Sequence, residues 1–181
     1  QAPDPKPRYL HHRSAPVLNG QLVLKNLSAQ VEVIRDQYGV PKIKAKNRIA
    51  AMRALGFTMA QDRLFQMEIY RRLGSGRLSE IFGEKTLEVD KLFRSLNLRN
   101  RMEDMMTSKL KSGTLNLKMW NEYLAFCDGI NQFVETQPLP IEFSLLGFRP
   151  EKFSPIDGHA FLGYMAYSFG VGLKQDVLFS R

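Results

Sequence analysis

Cysteine is almost missing from this chain: Cys127 is the single thiol among 181 residues. One cysteine closes no internal disulfide, so the fold is not a stapled secreted scaffold. Inside a helical apolar pattern Cys127 reads as a small buried hydrophobe. Long apolar runs are missing too; none approaches the ~18 residues of a membrane-spanning helix. Lys and Arg outnumber Asp and Glu by 26 to 18, a formal charge of +8. That excess is nevertheless scattered, with no arm of five or six successive cations. Such a balance fits a nucleic-acid or membrane-surface binder, or more blandly solubility or a basic face docking on an acidic partner. The rival function it leaves open is a basic helical binding module for nucleic acid or an acidic protein. The sequence also lacks a P-loop, a GxGxxG, an HExxH, Cys/His metal spacing and a Gly-x-Ser-x-Gly elbow. The commonest nucleotide, zinc and serine-hydrolase signatures are thereby excluded, and no nucleophile–base pair stands out. No internal repeat is visible.

What is present is ordinary for a globular chain: 44% hydrophobic and 24% charged residues, enough for one sizeable core. Residues 1–19 hold four prolines and the His11-His12-Arg13 cluster, and read as an extended, solvated arm. The start at Gln1-Ala2-Pro3, without an initiator Met, reads as a mature or trimmed end, as after signal-peptide removal. Leu22–Leu27 and Val31–Ile34 are β-rich runs expected to be strands. Glu32 between Val31 and Val33 suits a half-buried strand. Arg35-Asp36-Gln37-Tyr38-Gly39 is turn chemistry. Pro41 and the alternation Lys42-Ile43-Lys44-Ala45 predict an antiparallel return strand.

Asn47 is a plausible N-cap for a long helix. Its apolar positions include Met52, Leu55, Met59, Leu64 and Met67, a broad helical face. Gly56 inside that helix predicts close backbone packing, because a mid-helix glycine costs about 1 kcal/mol against alanine. Arg71 and Arg72 sit where cations oppose the helix dipole. Gly74, Gly76 and Gly83 then punctuate the chain. Thr86–Thr107 predicts a second helix, broken by Ser112-Gly113-Thr114. Its candidate core is Leu87, Leu92, Phe93, Leu96 and Met102. Leu117–Val134 predicts a third helix, ended by Pro138 and Pro140. Residues 137–154 read as an aromatic, proline-rich loop. Ser154-Pro155-Ile156-Asp157 is a strong helix start. That last helix, with His159 in its first turn, is expected to reach about Phe169 and stop at Gly170 and Gly172.

Several segments together resemble the start of the α chain in the penicillin acylase family. They are Val33-Ile34-Arg35-Asp36, Gly39-Val40-Pro41-Lys42-Ile43 and Ala60 through Glu68. Arg71-Arg72, Gly76-Arg77-Leu78 and Glu80-Ile81-Phe82-Gly83 complete the set. About a third of the chain carries the likeness strongly, in one order and with family-like spacing. The resemblance implies an N-terminal-nucleophile hydrolase made from a precursor that cuts itself into α and β chains. The β chain then opens on a Ser nucleophile whose own α-amino group is the base. An amine of pKa about 7.7–8.0 is well poised for that role. This chain begins with Gln1 and would be the α subunit, inactive alone. Within the motif, Asp62, Arg63 and Glu68 read as structural. Arg63 has the fork geometry for a carboxylate, and Asp62 is a candidate ion-pair partner.

The same resemblance implies that the late helix supplies apolar walls of the acyl pocket, in a Met-Ala-x-x-Phe pattern. Here that is Met165-Ala166-Tyr167-Ser168-Phe169, whose Met and Phe lie four apart on one face. Best-known members carry Arg where this chain has Ser168, which removes a cation. Tyr167 and Tyr164 are further candidates for the cleft. A calcium ion bridging the chains is also implied, structural in role, with Gln175 and Asp176 offering oxygens here; no organic cofactor is implied. The fold class expected is α+β. A mostly helical α chain would use a few N-terminal strands to complete an αββα N-terminal-nucleophile hydrolase shared with a β chain. Residues 1–19 would be the arm, and residues 20–181 the α-subunit part of a single acylase domain. The expected function is hydrolysis of an acyl amide, a β-lactam side chain or an N-acyl homoserine lactone. The setting is periplasmic or secreted, and the partner is the β subunit from the same precursor. Nucleic acid and membrane are not expected partners.

Overall fold

The computed structural model describes residues 19–179, except for the side chains of 171–179; His11 and His12 lie outside the described residues. The chain is mostly helical with one β-hairpin near its start. It gathers into two compact units. The first takes the residues up to Phe65 together with Lys118–Phe153, and the second takes Gln66–Leu117 together with the residues from Ser154 onward.

In the first unit, β1 (Val31–Arg35) and β2 (Pro41–Ala45) pair antiparallel with Val33 opposite Ile43. Asp36 closes the turn by accepting the Tyr38 and Val40 amides at 2.9 and 3.0 Å. Gly39, at φ +78°, takes the left-handed position. The expected strand at Leu22–Leu27 does not form. Its backbone is captured by side chains instead. Gln132 accepts the Lys25 amide at 2.7 Å and donates to the Lys25 carbonyl at 3.0 Å, while Arg53 donates to the Asn26 carbonyl at 2.6 Å. Backbone groups satisfied in this way have no need of a strand partner.

Helix α1 (Arg48–Ser75) starts where Asn47 Oδ1 accepts the Ala50 amide at 2.8 Å, as an N-cap should. It breaks at Arg63, whose φ of −139° and ψ of 16° are not helical. Its first half packs against α5 (Leu117–Thr136). There Ala54, Phe57, Ala125, Ile130 and Phe133 form the core, with the Phe57 and Phe133 rings edge to face at 5.5 Å. A Cβ added at Gly56 would lie 2.0 Å from the Phe126 carbonyl oxygen, so the expected close approach is real. Cys127 is buried in this layer. Arg53 donates to Asp128 at 2.6 Å and Arg48 clasps Glu122 at 2.7 and 2.9 Å, tying the two helices at their polar margins. The expected loop at 137–154 contains a short helix, α6 (Ile141–Leu146), that inserts Phe143 beside Phe65 and Phe148. A buried ring there outweighs the local turn composition.

In the second unit, α1 ends at Ser75, and Gly76 at φ +63° turns the chain. Arg71 and Arg72 do more than face a dipole: both are buried and paired with Glu68. After the short α2 (Ser79–Phe82) and a 3-10 turn (Gly83–Thr86), the expected single helix is two, α3 (Leu87–Leu96) and α4 (Leu98–Lys111). Asn97, at φ +53°, caps the first in the left-handed region, which asparagine tolerates better than most residues. Of the expected core there, Phe93 is buried, while Leu87 and Leu92 are exposed. Asp90 is buried and accepts the Leu78 and Ser79 amides, each at 2.8 Å, which fixes the start of α2.

Glu80 shows how charge supports this unit. The Arg77 hydrogen bond holds its carboxyl below the usual carboxylate range; partial burial pushes the other way, and Arg72 adds to the lowering. A carboxyl lowered in the folded state contributes stability above its unfolded pKa, and that contribution is lost as pH falls through the folded value. Stability should therefore decline as pH drops below the usual carboxylate range, about 4. Glu80→Gln should flatten that part of a denaturation-versus-pH curve, and an unaltered slope would remove Glu80 from the account.

Candidate functional site

The residues expected to meet substrate all sit on α7 (Pro155–Phe179). A capping box fixes its start. The Ser154 amide and hydroxyl both donate to Asp157 Oδ2 at 2.7 Å, and the Asp157 amide donates to the Ser154 carbonyl at 3.1 Å. Asp157 is buried, and its other oxygen takes the Arg99 guanidinium of α4. His159 is held by its own helix, with Nδ1 2.8 Å from the Pro155 carbonyl. The helix does not stop at Gly170, whose φ is not in the left-handed region, and helix runs on to Phe179. Glycine lowers helix propensity by about 1 kcal/mol but ends a helix only where the chain turns or a proline follows.

Two faces of α7 divide the candidate residues. One carries Ala160, Gly163, Tyr164 and Tyr167. Tyr164 and Tyr167 meet the Phe93 ring at 5.5 and 5.7 Å, and Tyr70 stacks on Phe161 at 4.7 Å. Tyr167 is thus part of an aromatic cluster internal to the second unit. The opposite face carries Leu162, Met165 and Phe169. Met165 is half-buried, Leu162 is 57% exposed and Phe169 is 68% exposed. Ser168 is exposed beside them. The structure therefore keeps Met165 and Phe169 on one stripe and sets Tyr167 apart from it. Leu162, one helical repeat of seven before Phe169, joins that stripe and was missed in the sequence, although its spacing is the signal that could have found it. No Asp, Glu, Lys or Arg occurs from Gly158 to Leu173, so this stretch of the helix carries no acidic or strongly basic side chain. Gln175 and Asp176 belong to the stretch of α7 whose side chains are outside the described residues.

The polar residues of the Ala60–Glu68 segment hold the fold. Arg35 Nη1 donates to Asp62 Oδ2 at 2.9 Å and to the Gly39 carbonyl at 3.0 Å, and Nη2 reaches Gln61 at 3.3 Å. One guanidinium thus joins hairpin, turn and helix. Asp62 pairs with Arg35, while Arg63 stands exposed at the helix break with no carboxylate among the described residues. Glu68 anchors the buried arginine pair. Among the described residues no helix is long and apolar enough to cross a membrane.

Comparison with known proteins places this arrangement. The penicillin amidase family matches residues 30–181. Penicillin acylase 2 proenzyme from Pseudomonas sp. (strain SE83) is 43% identical over 141 residues, covering 77% of this chain and 17% of that protein. Penicillin G acylase from Escherichia coli is 32% identical over 149 residues, 78% of this chain and 17% of the relative. An acyl-homoserine lactone acylase, QuiP, of Pseudomonas syringae pv. syringae (strain B728a) is 30% identical over 162 residues, 88% of this chain and 19% of the relative. The chain thus spans less than a fifth of the length of these curated relatives. Among solved structures, a thermostable penicillin G acylase from Alcaligenes faecalis superposes with a TM-score of 0.63 at 26% identity, covering 78% of this chain and 75% of that one. With a family match over most of its length and relatives above 30% identity, this chain belongs to the penicillin amidase family.

Proposed function

We propose that this chain is the α subunit of a heterodimeric acylase that hydrolyses the amide bond of an N-acyl substrate. One likeness carries the reading. The chain is 43% identical to a penicillin acylase proenzyme and matches 78% of itself to three quarters of a solved penicillin G acylase chain. The partner is a β chain from the same precursor, opening on Ser. The Ser hydroxyl attacks the amide carbonyl, the Ser α-amine takes its proton, the amine leaves protonated, and water releases the acyl group from the resulting ester. The α chain contributes the acyl-pocket wall through Met165 and Phe169, with Leu162 on the same stripe. The class of substrate is a β-lactam side-chain amide or an N-acyl homoserine lactone. A structural calcium ion, with Gln175 and Asp176 as oxygen donors on this side, and a periplasmic or secreted setting complete the proposal.

Native mass spectrometry of the assembly from the source cell is the first test. A second chain several times longer and beginning with Ser is the expected result; this chain purifying alone with hydrolytic activity would overturn the proposal. The wall has its own test. Phe169 is 68% exposed within this chain, so Phe169→Ala leaves the chain's own packing intact. In the assembly it should lower kcat/KM for aromatic acyl amides by at least about tenfold, the low end of what a single methylene is worth in an apolar pocket. The loss should shrink for acetyl amides, which do not reach the wall. An equal loss for every acyl group would take Phe169 out of the pocket.

A further inference from the structure

Asn19 is the asparagine of this chain that precedes a glycine, Gly20; every other is followed by a residue with a side chain. An asparagine side chain and the next backbone amide can close a five-membered ring. What ordinarily prevents it is the following side chain, a hydrogen bond on that amide, or a helix or strand that fixes both residues. At Asn19 all three are missing. Both residues are exposed and lie outside helix and strand. Nothing comes within 4 Å of where a Gly20 Cβ would stand, and among the described residues none hydrogen-bonds the Gly20 amide. Gly20 sits at φ +112°, in backbone space that residues with a Cβ avoid. The two Asp-Gly pairs, which could react by the same route, are protected. Asp128-Gly129 lies inside α5 and Asp157-Gly158 inside α7. The Asp128 carboxylate accepts from Arg53 and Gln132, and that of Asp157 from Ser154 and Arg99.

We infer that Asn19 is a modification site, at which the chain deamidates without an enzyme. The Gly20 amide gives its proton to hydroxide, and its nitrogen attacks Asn19 Cγ. A bond from that nitrogen to Cγ forms and the bond from Cγ to the side-chain nitrogen breaks. The side-chain nitrogen takes a proton from water and leaves as ammonia, which restores the hydroxide. A second water then opens the cyclic imide. Addition at Cγ yields aspartate; addition at the Asn19 backbone carbonyl yields isoaspartate, whose main chain runs through the side-chain carbons. Nothing is oxidised or reduced. Either product carries a new carboxylate, so the formal charge of +8 falls by one. The carboxylate arises on the wall of the cavity that Asn19 and Gly20 line together with Arg35. These three residues belong to the first unit, and the inference does not depend on the acylase reading.

The test incubates the native assembly in mildly alkaline buffer made with heavy-oxygen water, then maps its peptides and separates aspartate from isoaspartate. Asn19 should be lost to both products, with isoaspartate in excess and heavy oxygen in each. The rate should rise in proportion to hydroxide, and a more acidic form should appear in step on ion exchange. Asp128 and Asp157 should gain no isoaspartate over the same time. Gly20→Ala and Asn19→Gln, both at exposed positions, should each abolish the conversion. The same assembly unfolded in urea supplies the reference rate. Asn19 intact in the native assembly after the unfolded chain has converted would overturn the inference. So would aspartate without isoaspartate, conversion indifferent to Gly20→Ala, or isoaspartate forming as fast at Asp128 or Asp157.

Discussion

Gly129→Ala should cost this protein on the order of 3–5 kcal/mol, at the top of the range for point substitutions. A Cβ there would lie 2.0 Å from the Arg53 carbonyl oxygen, and one at Gly56 would lie 2.0 Å from the Phe126 carbonyl oxygen. Each glycine thus receives the backbone of the other helix, and no side-chain rotation relieves the clash. α1 and α5 would have to separate, which parts the Phe57 and Phe133 rings and pulls Arg53 from Asp128. The intrinsic helix preference for alanine, about 1 kcal/mol, acts in the opposite direction, so the sign is diagnostic. A single separation accommodates both methyls, so Gly56→Ala with Gly129→Ala should cost less than the two single losses added. Urea unfolding of the purified protein measures both effects. A stabilised Gly129→Ala would mean that the helices do not cross at these residues.

The sequence signalled only one side of that crossing. Gly56 interrupts an apolar helical pattern, and close packing was its natural explanation. Gly129, flanked by Asp128 and Ile130, carried no comparable signal, because the need for it arises only when two distant helices meet. The same division runs through the fold. Local chemistry announced the Asp36–Gly39 turn, the Asn47 cap and the Ser154–Asp157 capping box, since each is completed within a few residues. Long-range bonding decided the rest. Leu22–Leu27 has strand composition, but Gln132, 107 positions from Lys25, takes its backbone groups. Leu87–Lys111 has nearly continuous helical periodicity, and only the left-handed turn at Asn97 divides it.

The candidate site was legible to a similar depth. Met165 and Phe169 could be placed on one helical face by counting, and the structure keeps them there. Tyr167 could not be assigned by counting alone, because its direction depends on Phe93, 74 positions earlier in the sequence, whose ring it meets at 5.7 Å. The stripe that remains is apolar, with Leu162 and Phe169 exposed and Met165 half-buried.

Glu68→Ala carries the other large expected effect, about 3–5 kcal/mol of stability. Glu68 is 3% exposed and lies between Arg71 and Arg72, themselves 4% and 5% exposed. Its carboxylate faces both guanidiniums within one turn of α1, and Arg72 reaches onward to Glu80, which also holds Arg77. Removing the central carboxylate leaves two buried cations short of their shared counter-charge, and Arg72 then keeps only the half-exposed Glu80 as a charged partner among the pairs described, so desolvation weighs against folding. Glu80→Ala should cost under about 1 kcal/mol, because that side chain is 42% exposed and water replaces its partners. Replacing Glu68, Arg71 and Arg72 together by Met, Leu and Met should recover most of the loss, since a buried ion cluster is close to neutral against a well-packed apolar one. Chemical denaturation of the three variants side by side decides the matter. A mild Glu68→Ala would show that the arginines find water in the native state. A triple variant no better than the single one would show instead that the cluster contributes shape as well as charge.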